Sequence, residues 1–165
     1  MQETETFLPI DSVWGAMDKR GMDMEKLSKQ TEQILIERFG KDSIIALATV
    51  ADGIPYVRCV NAFYFDGAFY VLTYRLSNKM SQINRNPMVA ISGEWFTAHG
   101  KGEDMGCFSS EENKFISRKM REIFASWIGN GHNDLQDKNT CILRIALTEG
   151  VLYAKGIRYE IAFSA

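Results

Sequence analysis

The 165 residues hold only three prolines, three cysteines and two histidines. So little proline, beside 13 glycines and 12% aromatic residues, excludes a collagen-like or disordered chain. Cys59, Cys107 and Cys141 are odd in number and far apart, which reads as reduced thiols in a cytoplasmic protein rather than a disulfide framework. Neither Cys-x-x-Cys nor His-Glu-x-x-His spacing occurs, so no dedicated metal site is expected. No apolar run approaches the roughly 18 residues of a membrane helix. The acidic start MQETETFLPIDS does not read as a secretory signal. A basic excess is missing too. Nineteen Lys+Arg face 21 Asp+Glu, which argues against a broad nucleic-acid-binding surface.

What is present suits one globular domain with 45% hydrophobic residues. Residues 1–23 read as an irregular lead-in, either disordered or lying across the domain or a partner, and residues 24–165 as a single domain. From Met24 to Phe39 the period is helical, with Leu27, Thr31, Ile34, Leu35 and Phe39 on one face and Gly40 as the stop. Strand patterns follow at Ser43–Val50, Pro55–Phe65 and Ala68–Thr73, separated by the turn signals Asp52-Gly53 and Asp66-Gly67. Alternation puts Tyr56, Arg58, Val60, Ala62 and Tyr64 on one face of the second strand. Cys59 shares the other face with Phe63 and Phe65, so burial is expected for it.

Ser77–Arg85 predicts a short helix with Met80 and Ile83 turned inward, ended by Asn86-Pro87. Two further strands are read at Met88–Phe96 and Thr97–Asp104, then a helix from Ser109 with a Ser109/Glu112 capping box. The chain closes with strands at Cys141–Leu147, Val151–Ala154 and Ile157–Phe163. Two-residue turns force antiparallel neighbours, and such a sheet closes most readily into a barrel. The expectation is a mainly β fold with peripheral helices, a six- to eight-stranded antiparallel barrel. Ile44, Leu47, Phe69, Val71, Val89 and Ile91 are its candidate interior.

The stretch Thr73–Lys79 (TYRLSNK) carries the strongest chemical signal. A strand end delivers Thr73 to a loop with Arg75, Ser77 and Lys79, and a helix begins at once. Free N–H groups at a helix start favour a phosphate, and Arg and Lys add charge-assisted bonds. An ordinary solvated turn with a serine cap would give the same residues. His99 has no suitably spaced Asp or Ser for a catalytic triad.

Residues 43–96 resemble the pyridoxamine 5′-phosphate oxidase-like flavoproteins. The resemblance is carried by Asp52-Gly53-x-Pro55 before the strand bearing Arg58, then by a strand ending in Thr73, the Ser77-Asn78-Lys79 turn, a short helix and Asn86-Pro87. It implies an FMN-binding split barrel acting as a homodimer. Arg58 and Lys79 would hold the FMN phosphate, with Ser77 and Asn78 at the same turn. Val60, Asn61 and Thr73 would line the flavin, and Trp95 would approach from the partner subunit. Trp95, Phe96, Met105 and Phe108 are candidates for the shared surface. True pyridoxamine phosphate oxidases end in an Arg-Leu-x-Pro-like tail, of which RYEIAFSA keeps Arg158 but not the remainder, and Phe63 stands where a substrate-gripping lysine would be. Vitamin B6 oxidation is therefore not expected.

The resulting expectation is a cytoplasmic FMN-dependent oxidoreductase. It would reduce a small organic or nitroaromatic molecule with NADH or NADPH as donor. The alternative is a non-catalytic, stress-related flavin carrier or sensor. A third reading is a barrel holding haem or a deazaflavin, with His99 and His132 as candidate haem ligands. No nucleic-acid or membrane partner is expected.

Overall fold

A computed structural model describes residues 24–163; the expected lead-in at 1–23 lies outside them. The elements run β1 (Glu25–Lys26), α1 (Lys29–Phe39), β2 (Ser43–Ala51), β3 (Ile54–Phe65), β4 (Ala68–Tyr74), α2 (Asn78–Arg85), β5 (Met88–Gly93) and β6 (Phe96–Cys107). They continue with α3 (Lys114–Ile123), β7 (Thr140–Ala154) and β8 (Ile157–Ala162). Six strands close a ring in the order β7-β4-β3-β2-β5-β6, with β6 pairing back to β7. Every pair in the ring is antiparallel. β8 pairs with the second half of β7, and β1 lies parallel to β8. The fold is the split β-barrel expected from the sequence.

Local chemistry explains the turns. Asp52-Gly53, Asp66-Gly67 and Lys155-Gly156 all have positive φ at both residues, as two-residue hairpin turns that follow the strand twist require. Inside the ring, Leu35, Ile45, Leu47, Phe69, Met80, Leu143, Ile145 and Leu152 are almost fully buried. Phe39, Phe69 and Phe96 pack ring to ring there at 5.5–6.4 Å. A second cluster sits outside the ring, where Phe63, Tyr70, Phe108, Met120 and Phe124 pin α3 to the sheet. No described helix is long and apolar enough to cross a membrane.

Several boundaries differ from the sequence expectation. The first helix starts at Lys29 rather than Met24. Ser28 and Thr31 form a reciprocal cap there, and Glu25–Lys26 instead lies along β8. The Ser109/Glu112 box does not form. A 3-10 turn at Glu111–Asn113 precedes α3, held by Asn113 Nδ2 donating to the Met105 and Cys107 carbonyls. The closing segments from Cys141 to Ala154 are one continuous strand. Gly150 does not break it; its missing side chain leaves room for the Phe96 ring, which a Cβ would meet at 2.8 Å.

Three side-chain expectations are also overturned. Ile44 is 69% exposed, and its neighbour Ile45 enters the barrel instead, because the inward set of β2 is Ile45, Leu47 and Thr49. Cys59 is exposed: α3 covers its strand face only at the Phe63 end. Phe96 and Phe108 are buried within the subunit, one in each core cluster, so neither belongs to a shared surface.

Candidate functional site

The ladder between β3 and β4 covers only Phe63–Phe65 against Ala68–Tyr70. Beyond it, β3 stays with β2 as far as Ile54, and β4 stays with β7 as far as Tyr74. Their facing edges separate, and the register would otherwise set Val60 opposite Thr73. This opening is the split in the barrel. Backbone N–H and C=O groups along such an edge must find other partners.

Arg58 projects from β3 toward α2. Its Nη1 donates to the Leu47 carbonyl at 3.2 Å and to Thr49 Oγ1 at 2.8 Å, and its Nη2 donates to Gln82 Oε1 at 2.9 Å. Thr49 also donates to Gln82 Oε1 at 2.6 Å. These contacts fix the guanidinium with neutral groups only. Lys79, in the first turn of α2, is half-buried, and its single hydrogen bond among the described residues reaches Ser77 Oγ at 3.5 Å. Burial lowers the Lys79 ammonium below its ordinary value, and repulsion from Arg58 lowers it further. Burial likewise lowers Arg58. Neither cation has a carboxylate partner among the described residues.

Thr73 completes the arrangement. Its side chain is buried, yet Oγ1 has no hydrogen-bond partner among the described residues, a state that costs about 1–3 kcal/mol. Thr73 and Lys79 line one cavity of about 510 Å³ with His132, Asp134, Asp137 and Thr140. Asp134 and Asp137 stand on the cavity wall but pair with neither cation. Two close cations with no ion-pair partner among the described residues, beside a free hydroxyl, form a place for an anion with several acceptor oxygens.

The structure brings Arg58, Thr73, Ser77 and Lys79 together, and Val60 lies on the same strand edge. Asn78 is exposed in the first turn of α2. Asn61 points to the opposite face, where its Nδ2 donates to Asp42 Oδ1 at 2.9 Å; only its backbone edges the opening. Trp95 is 70% exposed in the turn between β5 and β6. β5 runs from α2 to that turn, so Trp95 sits at the other end of the barrel within one subunit. Arg75 is withdrawn from the anion site. It forms a two-point pair with Asp104 at 2.7 and 3.3 Å.

Sequence reasoning missed Thr49 and Gln82, which hold Arg58. Gln82 stands three residues after Lys79, on the same side of α2, and that spacing was the available signal. It also missed His99 Nδ1 at 3.0 Å from Glu149 Oε1, an exposed pair on the outer sheet. No group of three or more metal-ligating side chains occurs among the described residues.

Residues 32–152 match the family model described as Pyridoxamine 5'-phosphate oxidase. The chain belongs to the pyridoxamine 5′-phosphate oxidase-like family. No curated protein matches it. Among solved structures, it is similar to General Stress Protein 26 from Bacillus anthracis, with 18% identity, 78% of this chain and 97% of that one covered, and a TM-score of 0.57. A FAD-binding protein from Mesorhizobium loti matches at 17% identity over 78% and 96% of the two chains, with a TM-score of 0.57. A heme binding protein from Mycobacterium smegmatis matches at 14% identity over 84% and 60%, with a TM-score of 0.62. At these identities the likeness is one of fold. Phe63 is buried in the second core.

The Arg75–Asp104 pair gives the fold's stability a pH dependence. Burial opposes ionisation of Asp104, but hydrogen bonds from Arg75 and the Gly106 N–H hold its carboxyl below the ordinary 3.8. A carboxyl lowered in the folded state adds stability that is complete above its unfolded value and is lost as pH falls through the folded value. Urea midpoints measured from neutral pH into the acid range should therefore fall more steeply for the native protein than for Asp104→Asn. Parallel slopes would contradict the pair's role.

Proposed function

We propose that this protein binds FMN in the opening between β3 and β4, with the phosphate held by Lys79 and Arg58. Thr73 and Ser77 would supply hydroxyl contacts there. The observation that carries the reading is the Thr73 Oγ1 left without a partner beside two cations that form no ion pair, all among the described residues. The backbone edge of Val60 and Asn61 offers hydrogen-bonding groups to the polar rim of a flavin. A neighbour named FAD-binding on the same fold agrees with a flavin ligand.

Bound FMN supplies hydride and single-electron chemistry, while the protein contributes orientation and electrostatics. We read the activity as an FMN-dependent oxidoreduction that takes electrons from NADH or NADPH and passes them to a small organic or nitroaromatic acceptor. Within one chain, Arg58 and Lys79 bind and orient, and the barrel wall excludes water from one side. A flavin carrier or sensor would use the same contacts without turnover; the likeness to a general stress protein favours keeping that reading beside the first.

The reading includes a homodimer. The outer faces of β2, β3 and β5 bring Ala46, Ala48, Val57, Cys59 and Ala90 together by register. Ile44 and Val57 are 69% and 72% exposed on it. A face of this kind marks an interaction surface. A second subunit on it would cover the opening, and two-fold symmetry would then give two equivalent sites. Trp95, too remote to serve its own subunit's opening, fits a role contributed across that interface.

Two measurements test these claims. Removal of one charged contact to a phosphate costs about 1.5–3 kcal/mol, roughly ten- to a hundredfold in affinity. Lys79→Ala should weaken FMN binding by that much and riboflavin binding far less, since riboflavin has no phosphate; equal losses would refute the phosphate role. Light scattering on the FMN-loaded protein should report a dimer. A monomer that keeps its flavin at low micromolar concentration would rule out the shared site.

A further inference from the structure

Far apart in sequence, Cys107 and Cys141 are direct cross-strand partners of β6 and β7. The Phe108 N–H donates to the Thr140 carbonyl at 2.8 Å. That bond makes Cys107–Cys141 a non-hydrogen-bonded pair, whose Cα atoms lie about 4.5 Å apart with side chains on one face. A disulfide requires Cα atoms about 4.4–6.8 Å apart. The spacing usual for such a pair lies within that range, and the register shift between Asp104 and Cys107 falls just before the pair in β6.

The two thiols have unlike surroundings. Cys141 is fully buried beside Asp104, and burial first, then the Asp104 charge, pushes its thiol up to about 12. Cys107 is half-buried, and its Sγ donates to the Lys138 carbonyl at 3.0 Å. Arg75 donates to that same carbonyl at 3.0 Å. One sulfur is reachable from solvent, while the other is held in reserve behind it.

We propose that Cys107 and Cys141 form a peroxide-responsive dithiol that closes into an intrachain disulfide. The Cys107 thiolate attacks one oxygen of hydrogen peroxide and the O–O bond breaks. The products are a sulfenic acid on Cys107 and hydroxide, which takes up the proton released by the thiol to become water. Cys141 sulfur then attacks the Cys107 sulfur and expels the sulfenic oxygen as hydroxide, and the Cys141 proton converts it to a second water. Two thiols lose two electrons in all, and one peroxide is reduced to two waters.

The pair also adjoins the anion site. Cys141 is the register partner of Thr73 across β4 and β7, and Lys79 lies near enough to feel its charge. Disulfide closure takes the Cys107 hydrogen bond away from Lys138, loosening the 137–140 turn that lines the cavity. FMN binding should weaken on oxidation. This coupling rests on the phosphate reading above; the disulfide does not.

The experiment uses the full chain carrying Cys59→Ser, which removes the exposed third thiol. After treatment with one equivalent of hydrogen peroxide and alkylation, peptide mapping should yield a linked Cys107–Cys141 peptide, two hydrogen masses lighter and reversed by dithiothreitol. Cys107 recovered as sulfinic acid with Cys141 free, or both thiols recovered intact, would overturn the proposal. FMN affinity should fall about two- to tenfold on oxidation, the size of one lost hydrogen bond between neutral groups. It should not change on peroxide treatment of the Cys59→Ser/Cys107→Ser double variant. Equal affinity of oxidised and reduced protein overturns the coupling alone. A reduced protein that binds no FMN overturns the cofactor reading and leaves the mapped disulfide standing.

Discussion

The break in the ladder after Phe63 and Tyr70 governs the rest of the site. Had β3 and β4 stayed paired, Val60 would lie against Thr73 and the barrel would be sealed. The chain instead commits β3 to nine pairs with β2 and β4 to seven with β7. The gap admits Arg58 from one strand, Thr73 from the other and Lys79 from the helix that follows. Each brings a donor that the fold does not neutralise. Holding two cations close together is unfavourable in the empty site, so their arrangement is complementary to an anion before any anion arrives.

That arrangement is stiff because its supports are. Arg58 is fastened at three points to β2 and α2. α2 is seated by Met80 and Ile83, both buried at the barrel end, and Ile83 fits against Gly102, where a Cβ would approach to 2.8 Å. β7 links the whole frame: 15 residues long, it pairs with β6 on one side and with β4 and then β8 on the other. Sites on such elements keep their geometry better than sites on loops. Arg75 directly follows β4, Cys141 is one strand from Thr73 on β7, and Asp104 and Cys107 lie one strand further on β6.

Much of this was legible in the residues. The Asp-Gly turns fixed the hairpins, alternation put Arg58 and Val60 on one face, and the short helix after Ser77 appeared where its amphipathic spacing placed it. The errors have physical sources. Ile44 and Ile45 are equally apolar, and only the pairing register decides which enters the barrel. Cys59 was expected to follow Phe63 into a core, but α3 spans only part of that face. Arg75 resembles a phosphate ligand in sequence because Asp104, its partner, is 29 residues away. A comparable distance in sequence, 34 residues, hides the pairing of Cys107 with Cys141. Long-range partners of this kind follow from topology, which local patterns do not encode.

Thr73→Val offers the most direct test of the central claim, because it keeps the shape of the side chain and removes only the orphan hydroxyl. An unsatisfied buried hydroxyl destabilises the free protein, whereas a satisfied one strengthens the complex. Thermal unfolding with and without FMN reads both effects, since a ligand that binds only the folded state raises the midpoint. The account predicts a higher midpoint for ligand-free Thr73→Val and a smaller rise when FMN is added. A lower ligand-free midpoint with an undiminished FMN shift would contradict it.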